Sequence, residues 1–282
     1  MVDHYIPKNL EDALNYMKNG KSKVIAGGTD LMIQSRAWSE TPPKFTTNMI
    51  YILNLQELNY IQSQNDIIRV GAVTPYETLL DNLHTPEIFK KIILELASPA
   101  LRYVATLSGN IGNASPAGDA LVGLYLYDAV ITLMSFEGKR HISIDELITG
   151  PKKTAIKDTE MITEITLPNL NHTKTSWIKV GGRRADAISK VSFAGLVNLD
   201  GETIKDIRIA LGAVNATVVR RKEIEKTLIG RTVEDVVKDI DVILSAYEPY
   251  IKPIDDQRSN ARYRKHVALN LIKDFLLTLT KG

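Results

Sequence analysis

Two consecutive glycines, Gly27 and Gly28, interrupt the stretch "VIAGGTDLMIQ", residues Val24 to Gln34, between a short apolar run and a segment with helical character. A strand that passes through glycine directly into a helix exposes backbone N–H groups where the helix dipole favours negative charge. Glycine suits such a turn because a Cβ would block the close approach of a phosphate, or because the turn needs a positive φ. The pattern indicates either an anion-binding loop or simply a tight turn.

A second glycine-rich stretch follows further along the chain, "ATLSGNIGNASPAGD", residues Ala105 to Asp119. Its glycines share a short segment with threonine, serine and asparagine side chains. Such side chains can hydrogen-bond phosphate and ribose oxygens while the backbone stays close to them, and Asp119 could accept a hydrogen bond from a sugar hydroxyl. The alternative is a long polar surface loop without a ligand.

A third candidate stretch, "KVGGRRADAISKV", runs from Lys179 to Val191. It combines one lysine, two glycines, the pair Arg183 and Arg184, and Asp186. This composition could bind an anionic ligand. It is equally compatible with a basic edge strand that contains a bulge.

Composition limits the classes of protein to which the chain can belong. Its 282 residues are enough for two or three compact units with a substantial buried core. Hydrophobic residues make up 44% and charged residues 24%, as in globular proteins, and the net charge of +2 predicts no nucleic-acid partner. The densest basic run, "VVRRKEIEK" at Val218 to Lys226, already contains acidic residues, which favours a solvated helix face over a binding patch.

The chain contains no cysteine. Disulfides, thiolate catalysis, cysteine-type zinc sites and cysteine-ligated iron–sulfur clusters are therefore excluded from it, and any such chemistry must lie on another chain. The histidines have no ligand-like spacing, and no metal site is predicted. No segment reaches the roughly 18 apolar residues that a membrane span needs, and the N-terminus lacks the pattern of a signal peptide, so we expect a cytoplasmic protein.

Hydrophobic periodicity predicts an N-terminal half in which strands and helices alternate, as in α/β domains. A helix from Pro86 is expected to break at Ser98 and Pro99, and "MITEITLP", Met161 to Pro168, is expected to form a strand. After a polar passage at Asn169 to Ser176, antiparallel strands come first and helices follow. The last helix is expected to start at Ser259 as its N-cap, with Val267, Leu271 and Phe275 on its buried face.

Four motifs, "AGGTDL", "TLSGNIGNASPAGD", "KVGGRRADAIS" and "DDQRSNARYRKHVA", occur in an order and at a spacing that carry a family resemblance. The chain resembles the FAD-binding medium subunits of molybdenum hydroxylases, of the carbon monoxide dehydrogenase and xanthine dehydrogenase type. The resemblance implies an α+β protein: a two-subdomain α/β fold of the PCMH/VAO type that binds FAD, with subdomains at 1–55 and 56–170. A C-terminal domain of antiparallel sheet plus helices follows at 171–282.

The resemblance also implies which residues bind FAD. Motif by motif they are Lys23, Val24, Ile25, Ala26, Gly27, Gly28, Thr29, Asp30, Leu96, Thr106, Leu107, Ser108, Gly109, Asn110, Ser115, Asp119, Ile162 and Lys179. One position departs from the family pattern, because Ser108 stands where a first glycine of a pair is usual. If that position required a left-handed backbone, a serine there would cost about 1–2 kcal/mol.

In the family, FAD is the last carrier of an electron-transfer chain that runs through several subunits. The resemblance implies that a large molybdopterin subunit oxidises or reduces the substrate and that a small iron–sulfur subunit carries electrons to FAD in a three-subunit complex. The acceptor could be NAD(P), a quinone or another compound. The chain needs no catalytic residue of its own, since the redox chemistry belongs to the cofactor. The alternatives are a self-sufficient FAD-dependent NAD(P)H oxidoreductase and a non-redox nucleotide-binding scaffold subunit.

Overall fold

A computed structural model describes residues 2–18, 20, 22–38 and 40–280. The chain divides into two compact units, each assembled from segments that are not contiguous in sequence. The first unit consists of Met1–Pro86, Ala97–Ala114 and Asp128–Asn169, and the second of Glu87–Leu96, Ser115–Tyr127 and Leu170–Gly282. The three sequential domains expected at 1–55, 56–170 and 171–282 stay a prediction.

The helices, in chain order, are α1 (Leu10–Met17), α2 (Leu31–Gln34), α3 (Tyr76–Asp81), α4 (Glu87–Leu94), α5 (Pro99–Arg102), α6 (Leu107–Asn113), α7 (Asp119–Leu126), α8 (Ile144–Leu147), α9 (Lys222–Leu228), α10 (Val233–Lys238), α11 (Ile240–Tyr247) and α12 (Ala261–Thr278). The strands are β1 (His4–Tyr5), β2 (Ser22–Ile25), β3 (Asn48–Tyr51), β4 (Ile61–Gln64), β5 (Ile67–Gly71), β6 (Val130–Ser135), β7 (Gly138–Ser143), β8 (Ile148–Gly150), β9 (Lys153–Thr154), β10 (Met161–Pro168), β11 (Lys174–Val180), β12 (Val191–Asp200), β13 (Thr203–Gly212) and β14 (Val219–Arg220). Short 3₁₀ turns lie at Gln56–Leu58 and Glu248–Tyr250.

A small parallel sheet in the first unit, of order β1-β3-β2, positions the first glycine pair. Helix α1 connects β1 to β2; it begins at Asn9, whose side chain accepts a hydrogen bond from the N–H of Asp12, and it buries Ala13, Leu14 and Met17. Parallel strands need such a crossover helix. Strand β2 ends at the edge of this sheet immediately before Ala26 and the two glycines.

A five-stranded antiparallel sheet forms the rest of the framework of the first unit, in the order β4-β5-β10-β6-β7. Its central strand β10 pairs with β5 on one side and β6 on the other, with a bulge between Ile162 and Glu164. Helix α6, which carries part of the second glycine-rich stretch, packs against β10. The sheet therefore fixes the position of that stretch within the unit.

The second unit contains an antiparallel sheet of order β11-β12-β13-β14, covered by helices. Helix α12 packs against β12 so closely that a Cβ on Gly195 would lie 2.8 Å from the ring of Phe275. Helix α7 is buried at every residue and packs against β12 and β13, where a Cβ on Gly212 would lie 2.7 Å from Cγ2 of Val122. These glycines are needed for close packing of helix on sheet.

The structure corrects two expectations for the C-terminal region. Helix α12 is capped by Asn260, whose side chain accepts from the N–H of Tyr263, and not by Ser259. The buried face of α12 is formed by Arg264, Ala268, Ile272, Phe275 and Leu276, so of the three expected side chains only Phe275 is fully buried.

The basic run at Val218 to Lys226 is the predicted solvated helix face only in part: Lys222, Glu223 and Lys226 are exposed on α9, whereas Arg220 is not helical and is buried. Arg220 lies in β14 and forms an ion pair with Glu225 at 3.1 Å, and the exposed fractions of the two side chains are 6% and 5%. Burial raises the pKa of Glu225, and the adjacent guanidinium opposes that shift. Within the described ranges, no helix is long and apolar enough to cross a lipid bilayer.

Candidate functional site

The two glycines after β2 serve different structural needs. Gly28 has φ +66°, a left-handed conformation that side-chain-bearing residues rarely adopt. Gly27 has ordinary backbone angles, but a Cβ on it would lie 1.8 Å from the carbonyl oxygen of Val104. Gly27 is therefore required because another part of the main chain packs directly against it.

That neighbouring main chain leads straight into the second glycine-rich stretch. Thr106 is the N-cap of α6, and its Oγ1 accepts a hydrogen bond of 3.0 Å from the N–H of Gly109. The hydroxyl of Ser108 lies 3.0 Å from Oγ1 of Thr106 and donates to the carbonyl oxygen of Ala72. Thr106 and Ser108 are both buried, at 3% and 6% exposure, so a polar pair anchors the start of α6 to the residue that follows β5.

Ser108 lies inside α6 and has a helical backbone. The possible left-handed strain of about 1–2 kcal/mol at this position is therefore not present. The serine also gains a hydrogen bond to Ala72 that a glycine would lack. The departure from the family pattern is accommodated without backbone strain.

Side chains at both ends of α2 and at the C-terminal end of α6 join the two stretches a second time. The amide of Asn113 donates to the carboxylate of Asp30, and Nε2 of Gln34 donates to Oδ1 of Asn113 at 3.0 Å. Lys152, in the turn between β8 and β9, donates from Nζ to Oε1 of Gln34 at 3.0 Å. The first glycine-rich stretch and residues 105–114 of the second therefore lie side by side within the first unit.

These adjacent segments, residues 23–30 and residues 105–114 with helix α6, are named the two loops. Several of their polar groups have no protein partner among the described residues. The backbone N–H groups of Gly27, Gly28 and Thr29, and that of Ser108, donate to no other described group. Oδ1 of Asn110 is buried and likewise accepts no hydrogen bond within the described ranges. Unpaired donors on two neighbouring loops, with glycine at the closest point, suit an anionic ligand.

Two other predicted residues pair with each other within the second unit. Nζ of Lys179 lies 2.8 Å from Oδ2 of Asp119 and donates to the carbonyl oxygen of Glu95 at 2.7 Å. Ser189 donates to Oδ1 of Asp119 at 2.6 Å. The exposed fractions of the Lys179 and Asp119 side chains are 9% and 5%, which makes this a buried ion pair with a further hydrogen bond on each side.

The predicted site residues thus fall into two sets. The first unit contains Lys23, Val24, Ile25, Ala26, Gly27, Gly28, Thr29, Asp30, Thr106, Leu107, Ser108, Gly109, Asn110 and Ile162. The second unit contains Leu96, Ser115, Asp119 and Lys179. Apart from Ile162, a 7% exposed residue on β10, the first set is concentrated on the two adjacent loops.

Four polar residues around these positions were not predicted from the sequence. Gln34, Asn113, Lys152 and Ser189 all hydrogen-bond to a predicted residue or to one another. Asn113 and Ser189 lie inside the second and third candidate stretches, so their small polar side chains were a usable signal. Gln34 follows a predicted residue by only four positions, whereas nothing in its own sequence neighbourhood singles out Lys152.

Comparisons with known protein families match nearly the whole chain. The family described as "FAD binding domain in molybdopterin dehydrogenase" matches residues 1–170. The family described as "CO dehydrogenase flavoprotein C-terminal domain" matches residues 176–279.

Individual proteins are similar over the same length. The glyceraldehyde dehydrogenase medium chain of Sulfolobus acidocaldarius is 33% identical over 272 residues, which cover 92% of each chain. The carbon monoxide dehydrogenase medium chain of Hydrogenophaga pseudoflava is 24% identical, over 96% of this chain and 94% of that one. A structure of reconstituted CO dehydrogenase from Oligotropha carboxidovorans superposes with a TM-score of 0.86 at 23% identity, covering 97% of this chain and 96% of that one. This likeness of fold confirms the predicted α+β class.

Proposed function

Because this chain belongs to the family of FAD-binding domains of molybdopterin dehydrogenases, we propose that it passes electrons from iron–sulfur clusters on a partner subunit through FAD to an external acceptor. The family identified from the sequence motifs is confirmed, and FAD is the cofactor of that family. The observation that carries the proposal is the contact between the two glycine-rich loops, where the backbone of Gly27 lies against Val104.

The residues on these loops fit the diphosphate of FAD. The free N–H groups of Gly27, Gly28, Thr29 and Ser108 can each donate to a phosphate oxygen, and no Cβ on the glycines stands in the way. The buried Oδ1 of Asn110 can accept from a hydroxyl of the cofactor, which would satisfy an otherwise unpaired group. We therefore propose the two loops as the binding site for the diphosphate and its neighbouring hydroxyls.

The assignments of Leu96, Ser115, Asp119, Ile162 and Lys179 to cofactor contacts stay predictions from the family resemblance. For Asp119 the structure adds one constraint. Its carboxylate already accepts from Lys179 and Ser189, but a carboxylate has about four acceptor sites, so a further hydroxyl can still bind.

FAD supplies the chemistry of the proposed reaction, since its ring can accept and release electrons one or two at a time. The task of this chain is to hold the cofactor, to orient it and to exclude competing reactions. Since the chain has no cysteine, cysteine-ligated iron–sulfur clusters must lie on a partner. We propose a small iron–sulfur subunit and a large molybdopterin subunit as the partners.

The proposal is tested on the complex obtained by co-expression with the small iron–sulfur subunit and the large molybdopterin subunit proposed as partners. The partner clusters are reduced and their reoxidation by an added acceptor is followed by electron paramagnetic resonance, with FAD present and after FAD is removed. We expect rapid reoxidation only when FAD is bound to this chain.

Two other results would contradict the electron-relay proposal. Equal rates with and without FAD would favour the non-redox scaffold. Reduction of the isolated FAD-loaded chain by NADH or NADPH, with turnover of an added dye, would favour a self-sufficient oxidoreductase. NAD(P) and quinones are tested as acceptors in the same assay.

A further inference from the structure

The turn between β8 and β9 fastens a lysine to the edge of the two glycine-rich loops. Lys152 has φ +56°, and its N–H donates to the carbonyl oxygen of Ala114 at 2.9 Å. Ala114 is the C-cap of α6 and also has a left-handed backbone, with φ +45°. The turn is therefore attached through its main chain to the helix that carries the second loop.

The side chain of Lys152 points to the polar network that joins the loops. Its ammonium donates to Gln34, which donates to Asn113, which in turn donates to Asp30. A lysine ammonium carries three N–H donors, and one of them is used here. Among the described residues, no carboxylate forms a direct ion pair with Lys152, and the Asp30 carboxylate is reached only through Gln34 and Asn113.

The charges of the predicted loop residues leave an anionic ligand without compensation. From 23 to 30 the chain contributes one cation, Lys23, and one anion, Asp30, and from 106 to 110 it contributes no charged side chain. The loops alone would therefore place a diphosphate beside a carboxylate with no net positive charge. Helix α6 separates Gly109 from Asn113 by four residues, about 6 Å along its axis, so a ligand at its start lies within reach of the network at its end.

We propose that Lys152 is a further cofactor-binding residue, whose ammonium neutralises the diphosphate of FAD held between the two loops. The inference rests on the proposed function, because it needs FAD as the ligand. The geometry of the turn determines the position of the charge. The left-handed backbone of Lys152 and its hydrogen bond to Ala114 fix the position of the Lys152 main chain, and the hydrogen bond to Gln34 fixes the position of its ammonium group. Lys152 is a binding residue only and takes part in no transfer of electrons.

The test is a titration of the full-length chain with FAD, at low and at high salt concentration. Lys152→Gln removes the charge, and Lys153→Gln is the matched control, since Lys153 is the next residue of the same hairpin and is also exposed. We expect Lys152→Gln to raise the Kd for FAD about tenfold at low salt, as for loss of a charge-assisted hydrogen bond, and to weaken the dependence of Kd on salt. Lys153→Gln should stay within about twofold of the wild type.

Lys152→Gly and Lys152→Arg show whether a loss of affinity comes from the missing charge or from a disturbed fold. Glycine adopts positive φ freely, so Lys152→Gly should fold at least as well as the wild type and still lose about tenfold in affinity. Arginine keeps the charge and should restore most of the affinity. Unfolding midpoints measured on the same preparations show whether any variant is damaged.

The inference is wrong if the Lys152 variants bind FAD like the wild type, or if Lys152→Gln and Lys153→Gln lose affinity equally. Both outcomes leave the proposed function standing, because the wild type still binds FAD. A wild-type chain that fails to retain FAD even in the presence of its partner subunits contradicts the proposed function instead, and the inference fails with it.

Discussion

Alanine substitution at Gly27 separates the two structural needs of the glycine pair. A Cβ at Gly27 would lie 1.8 Å from the carbonyl oxygen of Val104 and 2.5 Å from its carbonyl carbon. Since carbon and oxygen atoms normally approach to about 3.3 Å, the two loops must move apart by roughly 1.5 Å. The obstacle is main chain rather than a flexible side chain, so the free energy of unfolding should fall by about 3 kcal/mol, the upper end for overpacking.

The same substitution one residue later has a different cause and a smaller effect. A Cβ at Gly28 would lie 3.2 Å from Cγ of Met32, which can move. The cost is that of a non-glycine residue at φ +66°, about 1–2 kcal/mol. Gly112→Ala is the matched control, since nothing lies within 4 Å of a Cβ there and alanine in helix α6 should stabilise the chain by about 0.5–1 kcal/mol.

Urea unfolding of the FAD-free chain measures these effects, and FAD titration measures their consequence for binding. Stability should rank Gly112→Ala above the wild type, then Gly28→Ala, then Gly27→Ala. Only Gly27→Ala moves the loops apart, so it should raise the Kd for FAD by more than tenfold. Equal stability of the Gly27 and Gly28 variants, or an unchanged Kd for Gly27→Ala, would refute the argument that close packing of the two loops builds the site.

Three further substitutions test separate parts of the structure. Asn110→Ala removes a buried acceptor without a protein donor, so FAD titration should show about tenfold weaker binding while urea unfolding of the FAD-free chain changes by less than about 0.5 kcal/mol. The hydrogen bonds from Arg140 lower the pKa of Glu160 in the folded chain. This pair therefore stabilises the fold at pH values above the ordinary glutamate pKa of about 4.3, and the stabilisation is lost as the pH falls through the lowered pKa of the folded state. Glu160→Gln should lower the free energy of unfolding by about 1 kcal/mol at neutral pH, a value kept small because the Arg140 side chain is 35% exposed. In the variant, the free energy of unfolding should fall less steeply as the pH is lowered. An equally steep fall in acid would contradict this. Asn260→Ala should lower the unfolding free energy by about 1 kcal/mol through loss of the α12 cap, whereas Ser259→Ala should change it by less than about 0.5 kcal/mol, and a reversed order would show that the cap is misassigned.

The elements that the sequence predicted well are those with a strong local signal. Strand β10 has the predicted bounds, because apolar residues alternate along Met161–Pro168 and a proline ends it. The helix after Pro86 breaks as expected, since Pro99 can start a helix but not continue one. In both cases the residues that decide the structure are neighbours in sequence.

Elements with weak local signals are not specified by their own sequence. The segment of α6, rich in glycine and asparagine, has low helix propensity, and it is helical because Thr106 caps it and Ser108 bonds to Ala72. Residues 233–247 form two helices, since Asp239 ends one and begins the next without a glycine or proline to announce it. Arg220 is buried because Glu225 and the carbonyl oxygen of Tyr125 satisfy it, and that partnership spans distant parts of the chain.

The candidate site shows the same limit. The glycine-rich loops could be found from composition, but their adjacency depends on the contact of Gly27 with Val104, which no local pattern specifies. The residues that connect the loops, Gln34 and Lys152, come from a short helix and from a hairpin turn. A polar residue in a turn carries no local signal of what it will contact, so tertiary structure was needed to identify it.

The glycine pair would be required even in the absence of any ligand. Gly28 is needed for its backbone angle, and Gly27 is needed because the main chain of Val104 packs against it. The conformation of the glycine pair therefore does not by itself distinguish an anion-binding loop from a tight turn. The ligand interpretation depends on what the packing leaves over: backbone N–H groups without acceptors, the buried Oδ1 of Asn110 without a donor, and an ammonium at Lys152 without a carboxylate, all within the described first unit. Four N–H donors and one acceptor left unpaired by chance in separate places would carry little weight. Their concentration along one contact between two loops is what a bound dinucleotide explains and what close packing alone does not.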